Sequence, residues 1–544
     1  NYIRGADSYD EDQDANITEN RRLITGDALH VEPAVFAYSY RKAASLPTLE
    51  FRKLFYGAND GMLHTVNDDT GIEDWGFVPP GQLSRLKMIV EGTSHEYFVD
   101  SSPRLFFLDY NNDGVIDDLN GDGSVDEGDD RVILIFGERK GGSSYYALDV
   151  TYPDTPIWLW RLNASTTDEN GVELGTRLGE TWSEPVFGRV KTSDDENDAG
   201  TWVMFVGGGY GLNDSKGNSI LAVDALSGAV VRSFHNTASN NIGMNYSIIS
   251  NITTVDADPA HRGQLVDKLY VGDLGGNLWR IGNFSSSNFY FNDENIHNWQ
   301  AQILFKAGCD ESSCSDNVDN DGDGLTDERR QFQYAPDVTL EWGYDLVFIG
   351  SGDRDKACQE GTANRFYAVK DNHLWTALTE EDLVNLRPAA DTSLVPRLDN
   401  PSADIDQNNI SDKGWYYTLG DGEKVLAEPV VFNKAVYFTT FSPNDEVCVP
   451  GGDSYLYALG YKTGAAVFAD YDSDGVKDDY LEIGGGIGSK PVLVIKDGSQ
   501  RLLISVGSTN PDEDSESTNA GVFGITPDFL PHNFFFIWWR ELFQ

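Results

Sequence analysis

The amino-acid sequence predicts an all-β protein, a modified β-propeller of about seven blades that carries calcium-binding loop insertions. Helical periodicity is nearly absent, and short runs rich in Val, Ile, Tyr and Phe alternate with Gly, Asn and Asp turns. One strand–turn–strand phrase also recurs along the chain. The 544 residues are 40% hydrophobic and include 12 Trp, 25 Tyr and 28 Phe, which is enough apolar mass for a large core.

The recurring phrase consists of a strand, a glycine-containing turn, a second strand and an Asp-x-x-Ser/Thr-Gly ending. Each copy predicts an antiparallel hairpin, and hairpins of one kind bury their faces by stacking radially as propeller blades. Copies cover residues 54–71, 219–228, 269–280 and 454–464, with partial copies at 145–150 and 365–370.

The spacing of these copies is longer and less regular than in simple propellers, so we expect insertions within several blades. We interpret residues 1–45 as an extended lead-in and residues 46–544 as the propeller. The insertions are expected near residues 109–130, 309–330 and 470–482. The apolar run 534–539 is interpreted as the last buried strand, with docking on a partner as the alternative.

The charge balance restricts the partners. The net charge is −48, from 40 basic and 88 acidic residues, and would repel nucleic acid and anionic lipid. No apolar run approaches the roughly 20 residues that a membrane-spanning helix needs, so we expect no membrane span. The acidic residues remain available to hold divalent cations and to keep an extracellular protein soluble.

The four cysteines fit an oxidising compartment. None has a partner at C-x-x-C spacing, which argues against a zinc site. We expect one or two disulfides, with Cys309 and Cys314 closing one loop and Cys358 and Cys448 paired across the fold; four unpaired thiols are the alternative.

Four acidic loops carry the strongest chemical signal. Ca²⁺ takes six to eight oxygen ligands, and a loop with side-chain oxygens at positions 1, 3, 5 and 9, Gly at 6 and a carbonyl at 7 can wrap it. An apolar residue at position 8 often anchors such a loop to the core. The first loop offers Asp109, Asn111, Asp113, Val115 and Asp117, and the second offers Asp118, Asn120, Asp122, Ser124, Asp126 and Asp129. The third offers Asp319, Asp321, Asp323, Leu325 and Asp327, and the fourth offers Asp470, Asp472, Asp474, Val476 and Asp478.

Position 12 lacks the bidentate Glu of a helix-flanked loop, because Asn120, Arg330 and Leu481 stand there in the first, third and fourth loops. We therefore expect calcium loops without flanking helices, and the first two loops are close enough to share a carboxylate. Calcium would relieve the repulsion between crowded carboxylates and rigidify most of the loops. A regulatory switch at one of them is the alternative.

Ordered segments along nearly the whole chain resemble the C-terminal propeller of the PilC/PilY family, the tip-associated adhesins and assembly factors of type IV pili. The matching segments are 56–64, 95–100, 141–142, 145–151, 181–185, 272–280, 414–415, 422–425, 448–464 and 539–542. The resemblance implies a pilus-tip or cell-surface protein exported through the outer membrane. It also implies minor pilins as partners, and adhesion to a host or abiotic surface. In the family a calcium loop supports pilus extension, and the third and fourth loops are the candidates here.

We predict a binding protein and not an enzyme, with Ca²⁺ as the only cofactor and no catalytic residues. A quinoprotein dehydrogenase would also be a calcium-binding propeller, but it typically has two adjacent cysteines, which this chain lacks. Neither an H-E-x-x-H nor a G-x-S-x-G motif is present. A generic calcium-stabilised surface scaffold is the remaining alternative. We expect His64, which follows a blade turn, to be structural.

Overall fold

The computed structural model describes part of the chain. The described residues are 5–525 apart from 11–12, 22–24, 41–48, 93, 120–124, 126–127, 196–197, 238–240, 258–264, 284–294, 309–328, 342, 359–362, 374–375, 387–411, 444–450, 471–476, 497–498 and 507–520. The apolar run 534–539 lies outside them, as do Cys309, Cys314 and Cys448; Cys358 is exposed.

Within these residues the strands form seven sheets, so the predicted all-β propeller class is confirmed. The first sheet holds β1 (Ala34–Tyr40), β2 (Leu49–Gly57), β3 (Leu63–Asn67) and β4 (Glu73–Phe77). The second holds β5 (Arg104–Leu108), β6 (Arg131–Phe136), β7 (Tyr145–Asp149) and β8 (Ile157–Leu162). The third holds β9 (Val186–Val190), β10 (Thr201–Gly207), β11 (Ser219–Asp224) and β12 (Val230–His235).

The next two sheets have five strands each. The fourth holds β13 (Thr253–Val255), β14 (Lys268–Gly272), β15 (Asn277–Gly282), β16 (Gln300–Lys306) and β20 (Leu378–Thr379). The fifth holds β17 (Asp337–Glu341), β18 (Tyr344–Gly350), β19 (Arg365–Asp371), β22 (Gly414–Thr418) and β21 (Val384–Asn385). The β16–β20 and β21–β22 pairs are parallel, whereas the other pairs in these sheets are antiparallel.

The last two sheets complete the described strands. The sixth holds β23 (Lys424–Val425), β24 (Val430–Phe432), β25 (Ala435–Pro443), β26 (Gly452–Gly460) and β27 (Tyr480–Gly485). The seventh holds β28 (Val492–Lys496), β29 (Ser499–Val506) and β30 (Gly521–Ile525). The described helices are short: α1 (Met88–Glu91) and 3₁₀ turns at Gly175–Arg177, Leu212–Asp214, Ile296–Asn298, Arg354–Lys356 and Glu380–Asp382.

The described residues divide into two compact units. Unit 1 takes in the chain up to Phe187 and from Trp202 to His235, and unit 2 takes in the rest. In unit 1, central strands such as β6 and β7 are buried on both faces, because each sheet packs between neighbours. Strand β1 lies inside the segment interpreted as the lead-in and pairs with β2 along its length.

In the first three sheets, one turn of each sheet lies at the same end of the strands. These are the β2–β3, β6–β7 and β10–β11 turns. Val99 N–H donates to the Ala58 carbonyl at 3.3 Å, and Thr181 N–H donates to the Gly142 carbonyl at 3.1 Å. These bonds join the β2–β3 and β6–β7 turns to the segments that lead into the next sheet. We call this end the turn face; it comprises residues 58–62, 95–102, 137–144, 179–183 and 208–217.

Candidate metal centre

The first acidic loop follows β5 directly and folds back on its own side-chain oxygens. The Gly114 N–H donates to Asp109 Oδ2 at 2.8 Å, and the Asp113 N–H donates to Asn111 Oδ1 at 3.0 Å. Gly114 has a φ of +76°, which favours glycine at this position of the loop. The sequence pattern therefore corresponds to a closed turn lined by carboxylate and amide oxygens.

Ile116, at position 8 of this loop, is the expected apolar anchor. Its side chain is 1% exposed and packs in the core between the first two sheets. Its N–H donates to the Ser39 carbonyl at 2.8 Å, and it pairs with Tyr40, the last residue of β1. The loop is thus attached to the strands on both sides of it.

Two buried carboxylates, those of Asp129 and Asp130, accept hydrogen bonds from the backbone of the acidic loops. The sequence did not predict Asp130 as a site residue. Asp129 Oδ1 accepts the Leu119 N–H at 2.9 Å. Asp130 accepts the Tyr110 N–H at 2.9 Å and the Asp117 N–H at 3.0 Å, and both aspartates are 0% exposed. Asp130 lies outside the loop spacing; the only available signal was its position directly before the buried strand β6.

The electrostatics of this cluster favour a cation. Burial raises the pKa of Asp130, and the charges of Asp109 and Asp117 raise it further against the two backbone hydrogen bonds. Asp109 Oδ1 is buried and has no hydrogen-bond partner among the described residues. Crowded carboxylates with a buried, unsatisfied oxygen are the donor set of a hard divalent cation. The pattern is compatible with Ca²⁺ at the first loop, although the Asn111 amide donates to Asp117 Oδ2 at 3.1 Å, and the ion stays a prediction.

The remaining predicted ligands are only partly described. In the second loop the structure places Asp118 and Asp129, and in the fourth it places Asp470 and Asp478, whose carbonyl accepts the Phe468 N–H at 3.1 Å. Outside the described residues lie Asn120, Asp122, Ser124, Asp126, Asp319, Asp321, Asp323, Leu325, Asp327, Asp472, Asp474 and Val476. Their ligand roles stay predictions.

Asp345, Asp371 and His373 form a second group with ligand-type atoms close together. This group already contains cations, because Lys268 contacts Asp345 and Arg280 lies 2.5 Å from Asp371. Burial opposes ionisation, but Lys268 and Arg280 outweigh it and hold the pKa of the two carboxyls below the ordinary value. We interpret the group as a buried ion-pair cluster that needs no metal.

His64 is buried and bonded on both ring nitrogens, as expected for a structural histidine. Its Nδ1 lies 2.7 Å from Glu73 Oε1, and its Nε2 lies 3.0 Å from Asp60 Oδ2.

In the described part of the chain, no helix has the length and apolar character needed to cross a bilayer.

Comparison with known proteins gives a consistent result. Residues 20–326 match the family model of the PilY1 β-propeller domain. The type IV pilus biogenesis factor PilY1 of Pseudomonas aeruginosa strain UCBPP-PA14 is 25% identical over 555 residues, covering 89% of this chain and 43% of that protein. A PilY1 homolog of Xylella fastidiosa strain Temecula1 is 26% identical over 530 residues, covering 86% of this chain and 31% of the homolog. The chain thus spans less than half the length of these relatives.

One solved structure supports the fold. The crystal structure of the Pseudomonas aeruginosa PilY1 C-terminal domain superposes with a TM-score of 0.55 at 21% sequence identity. The match covers 83% of this chain and 90% of that structure. At this identity the likeness establishes the propeller architecture.

Proposed function

The chain belongs to the PilY1 β-propeller family, and from this premise we propose that it supports type IV pilus biogenesis as a calcium-loaded binding protein. The observation that carries the proposal is the family match over residues 20–326, in a chain whose curated relatives are named type IV pilus biogenesis factors. We place the protein at the cell surface or pilus tip, exported through the outer membrane, with minor pilins as its partners.

Calcium is the second part of the proposal. At the first loop, Asp109, Asn111, Asp113 and Asp117 would hold the ion with the Val115 carbonyl, while Asp129 and Asp130 fix the loop from behind. Bound Ca²⁺ would supply positive charge that offsets the carboxylate repulsion. We propose the same role at the other three loops, with a regulatory function for one of them.

We propose no catalytic activity. In this proposal the carboxylates of the first loop hold Ca²⁺, and the buried ion-pair group around Asp345 and Asp371 is internally compensated. A role in adhesion to a host or abiotic surface is part of the proposal, and its ligand is unspecified.

The decisive experiment deletes the gene in its own organism and counts surface pili by electron microscopy, with complementation by the full-length protein. We expect fewer pili, restored by complementation. Immobilised full-length protein should also retain the organism's minor pilins in millimolar calcium. Unchanged pilus number together with no retained minor pilin would contradict the proposed function.

A further inference from the structure

We propose that residues 26–32 form a pH-dependent strap, which lies against the turn face of unit 1 while two histidines are protonated and loosens when they lose their charge. The histidines are His30, within the strap, and His95, on the turn face. The proposal rests on the contacts of these residues and does not depend on the role in pilus biogenesis or on calcium.

The strap buries almost no apolar surface. Asp27, Ala28, Leu29 and Glu32 are exposed, Leu29 to 57%, and none of the side chains in residues 26–32 is fully buried. Segments with few buried apolar contacts open locally at low cost in free energy. Polar contacts therefore decide whether the strap stays on the turn face.

The strongest of these contacts joins His30 to a buried carboxylate. His30 Nδ1 lies 2.9 Å from Asp100 Oδ1 and 2.8 Å from Oδ2. The His30 side chain is 21% exposed and that of Asp100 is 0% exposed. Arg139 also contacts Asp100 Oδ2, at a longer distance of 3.5 Å. Because a hydrogen bond between charged groups is roughly twice as strong as a neutral one, deprotonation of His30 weakens the attachment.

The second contact joins His95 to Asp27 of the strap. His95 Nε2 lies 3.0 Å from Asp27 Oδ2, and the two side chains are 45% and 43% exposed. Burial raises the pKa of Asp27, but hydrogen bonds from Asn59 and His95 and the charge of His95 outweigh it and hold the pKa below its ordinary value. Exposed ion pairs contribute little, so we assign the larger share of the pH response to His30.

Other charged groups face His95 from the turn face. The His95 ring centre lies 4.8 Å from that of Tyr97, and Lys140 Nζ lies 5.5 Å from the Tyr97 ring centre. Glu96, the next residue, pairs with Arg85 at 3.5 Å. Lysine and arginine stay charged at neutral pH, whereas histidine changes its charge between pH 5 and 8. The change in charge at this place therefore comes from the imidazole.

Acidic groups lie on both sides of the contact. The strap carries Asp27 and Glu32, and the turn face beneath it carries Asp60 and Asp100. Glu32 lies 3.9 Å from Arg104, which leaves it a weak partner. Like charges repel, so protonated histidines favour attachment, and the advantage is lost as the pH rises through the imidazole titration.

The ends of the strap have further bonds that set its position. The Gly26 N–H donates to Asp60 Oδ2 at 3.0 Å, and the Glu32 N–H donates to Ser102 Oγ at 3.0 Å. Asp60 is itself bound by the buried His64, at 3.0 Å. The chain has eight histidines, and three of them thus contact carboxylates at the strap or beneath it. This concentration favours a pH-dependent role over chance placement of a scarce residue.

Loosening of the strap uncovers the turn at residues 58–62 and the segment 100–102. Access to the turn face of unit 1 is therefore controlled by pH: restricted in mild acid and open in mild alkali.

The test measures hydrogen exchange by mass spectrometry at pH 5.5 and 8.0, expressed as protection relative to the intrinsic exchange rate at each pH. In the parent chain we expect the protection of residues 26–32 to fall at least about fivefold from pH 5.5 to 8.0. Strands β6 and β7, buried in the same unit, should keep their protection.

Variants at position 30 separate charge from shape. His30→Gln should have low protection of the strap at both pH values, whereas His30→Arg, with a permanent charge, should have high protection at both. The double variant His30→Gln/His95→Gln should show no pH response. His297→Gln is the matched control, since His297 is exposed in unit 2, and it should respond as the parent does.

Thermal melts check that each variant folds, and the parent chain alone can refute the proposal. Equal protection of the parent strap at both pH values would overturn it. A pH response that persists in the double variant would do the same, because other groups would then carry it. A parallel loss of protection in β6 and β7 would indicate unfolding of unit 1 in place of a local strap.

Discussion

At the scale of single residues, buried ionisable groups depend on one or two named partners. His64 is 1% exposed in the first sheet and lies between Asp60 and Glu73. Burial lowers the pKa of His64, but the hydrogen bonds and charges of the two carboxylates outweigh it, and the net effect raises the pKa above 6.5. The folded state therefore holds this proton more tightly than the unfolded chain does.

Replacing His64 by Gln should destabilise the protein in a pH-dependent way. Because the folded pKa is raised, the stabilisation is fully present below the unfolded pKa of about 6.5 and is lost as the pH rises through the folded value. We expect a loss on the order of 1–3 kcal/mol at pH 5.5. Urea denaturation of parent and variant between pH 5.5 and 9 measures this, and a difference that grows with pH would contradict it.

The substitution Asp109→Asn tests the proposed metal centre at a single side chain. Asp109→Asn keeps an oxygen for the Gly114 N–H but removes one charge from the crowded loop. We expect calorimetry to detect one bound Ca²⁺ fewer and the melting temperature in chelator to stay equal or rise. Asp224→Asn is the matched control, since Asp224 closes a turn after β11. An unchanged calcium stoichiometry in Asp109→Asn would exclude the first loop as a site.

At the scale of elements, residues 26–32 form a strap bound to the turn face. Asn59 donates to Asp27 Oδ2 at 3.0 Å, and His95 Nε2 lies 3.0 Å from the same oxygen. At the other end of the strap, His30 contacts Asp100 and the Glu32 N–H donates to Ser102 Oγ at 3.0 Å. The strap is thus held by these side-chain contacts and by one backbone hydrogen bond, from the Asn59 N–H to the Asp27 carbonyl at 3.0 Å.

Asp100→Asn should loosen this strap, because it removes the charge that pairs with His30 and Arg139. We expect hydrogen exchange measured by mass spectrometry to become several-fold faster in residues 26–32, with a loss of stability on the order of 1–3 kcal/mol. Strands β25 and β26 in unit 2 serve as the internal reference. Equal acceleration in both places would indicate global unfolding and contradict a local role.

Hairpins that carry their own turn residues were predictable from the sequence, whereas strands that pair only with distant segments were not. The β2–β3 and β14–β15 hairpins were predictable because Gly61 and Gly276 mark turns with φ of +93° and +83° between apolar runs. The two-residue strands β20 and β21 were not, since their parallel pairing depends only on neighbours. The first loop was predictable because its spacing lies within one continuous segment, whereas the contacts of Asp130 with that loop depend on packing.

At the scale of the whole molecule, the net charge of −48 opposes a compact state unless cations are bound or screening is strong. Four acidic loops concentrate part of that charge within short segments. Bound calcium and dissolved salt both reduce the repulsion, but they do so differently. A bound ion acts at its site with a saturable affinity, whereas salt screens every exposed charge without saturation.

Calcium should therefore stabilise the chain beyond what sodium chloride does at the same ionic strength. With dissociation constants in the range of about 0.1–1 mM, 5 mM Ca²⁺ contributes about 1–2 kcal/mol per site. Thermal melts in 5 mM Ca²⁺, in chelator, and in chelator with matched sodium chloride separate the two effects. Equal melting temperatures in Ca²⁺ and in matched salt would mean that the loops act only through screening, and calcium would then not be part of the fold.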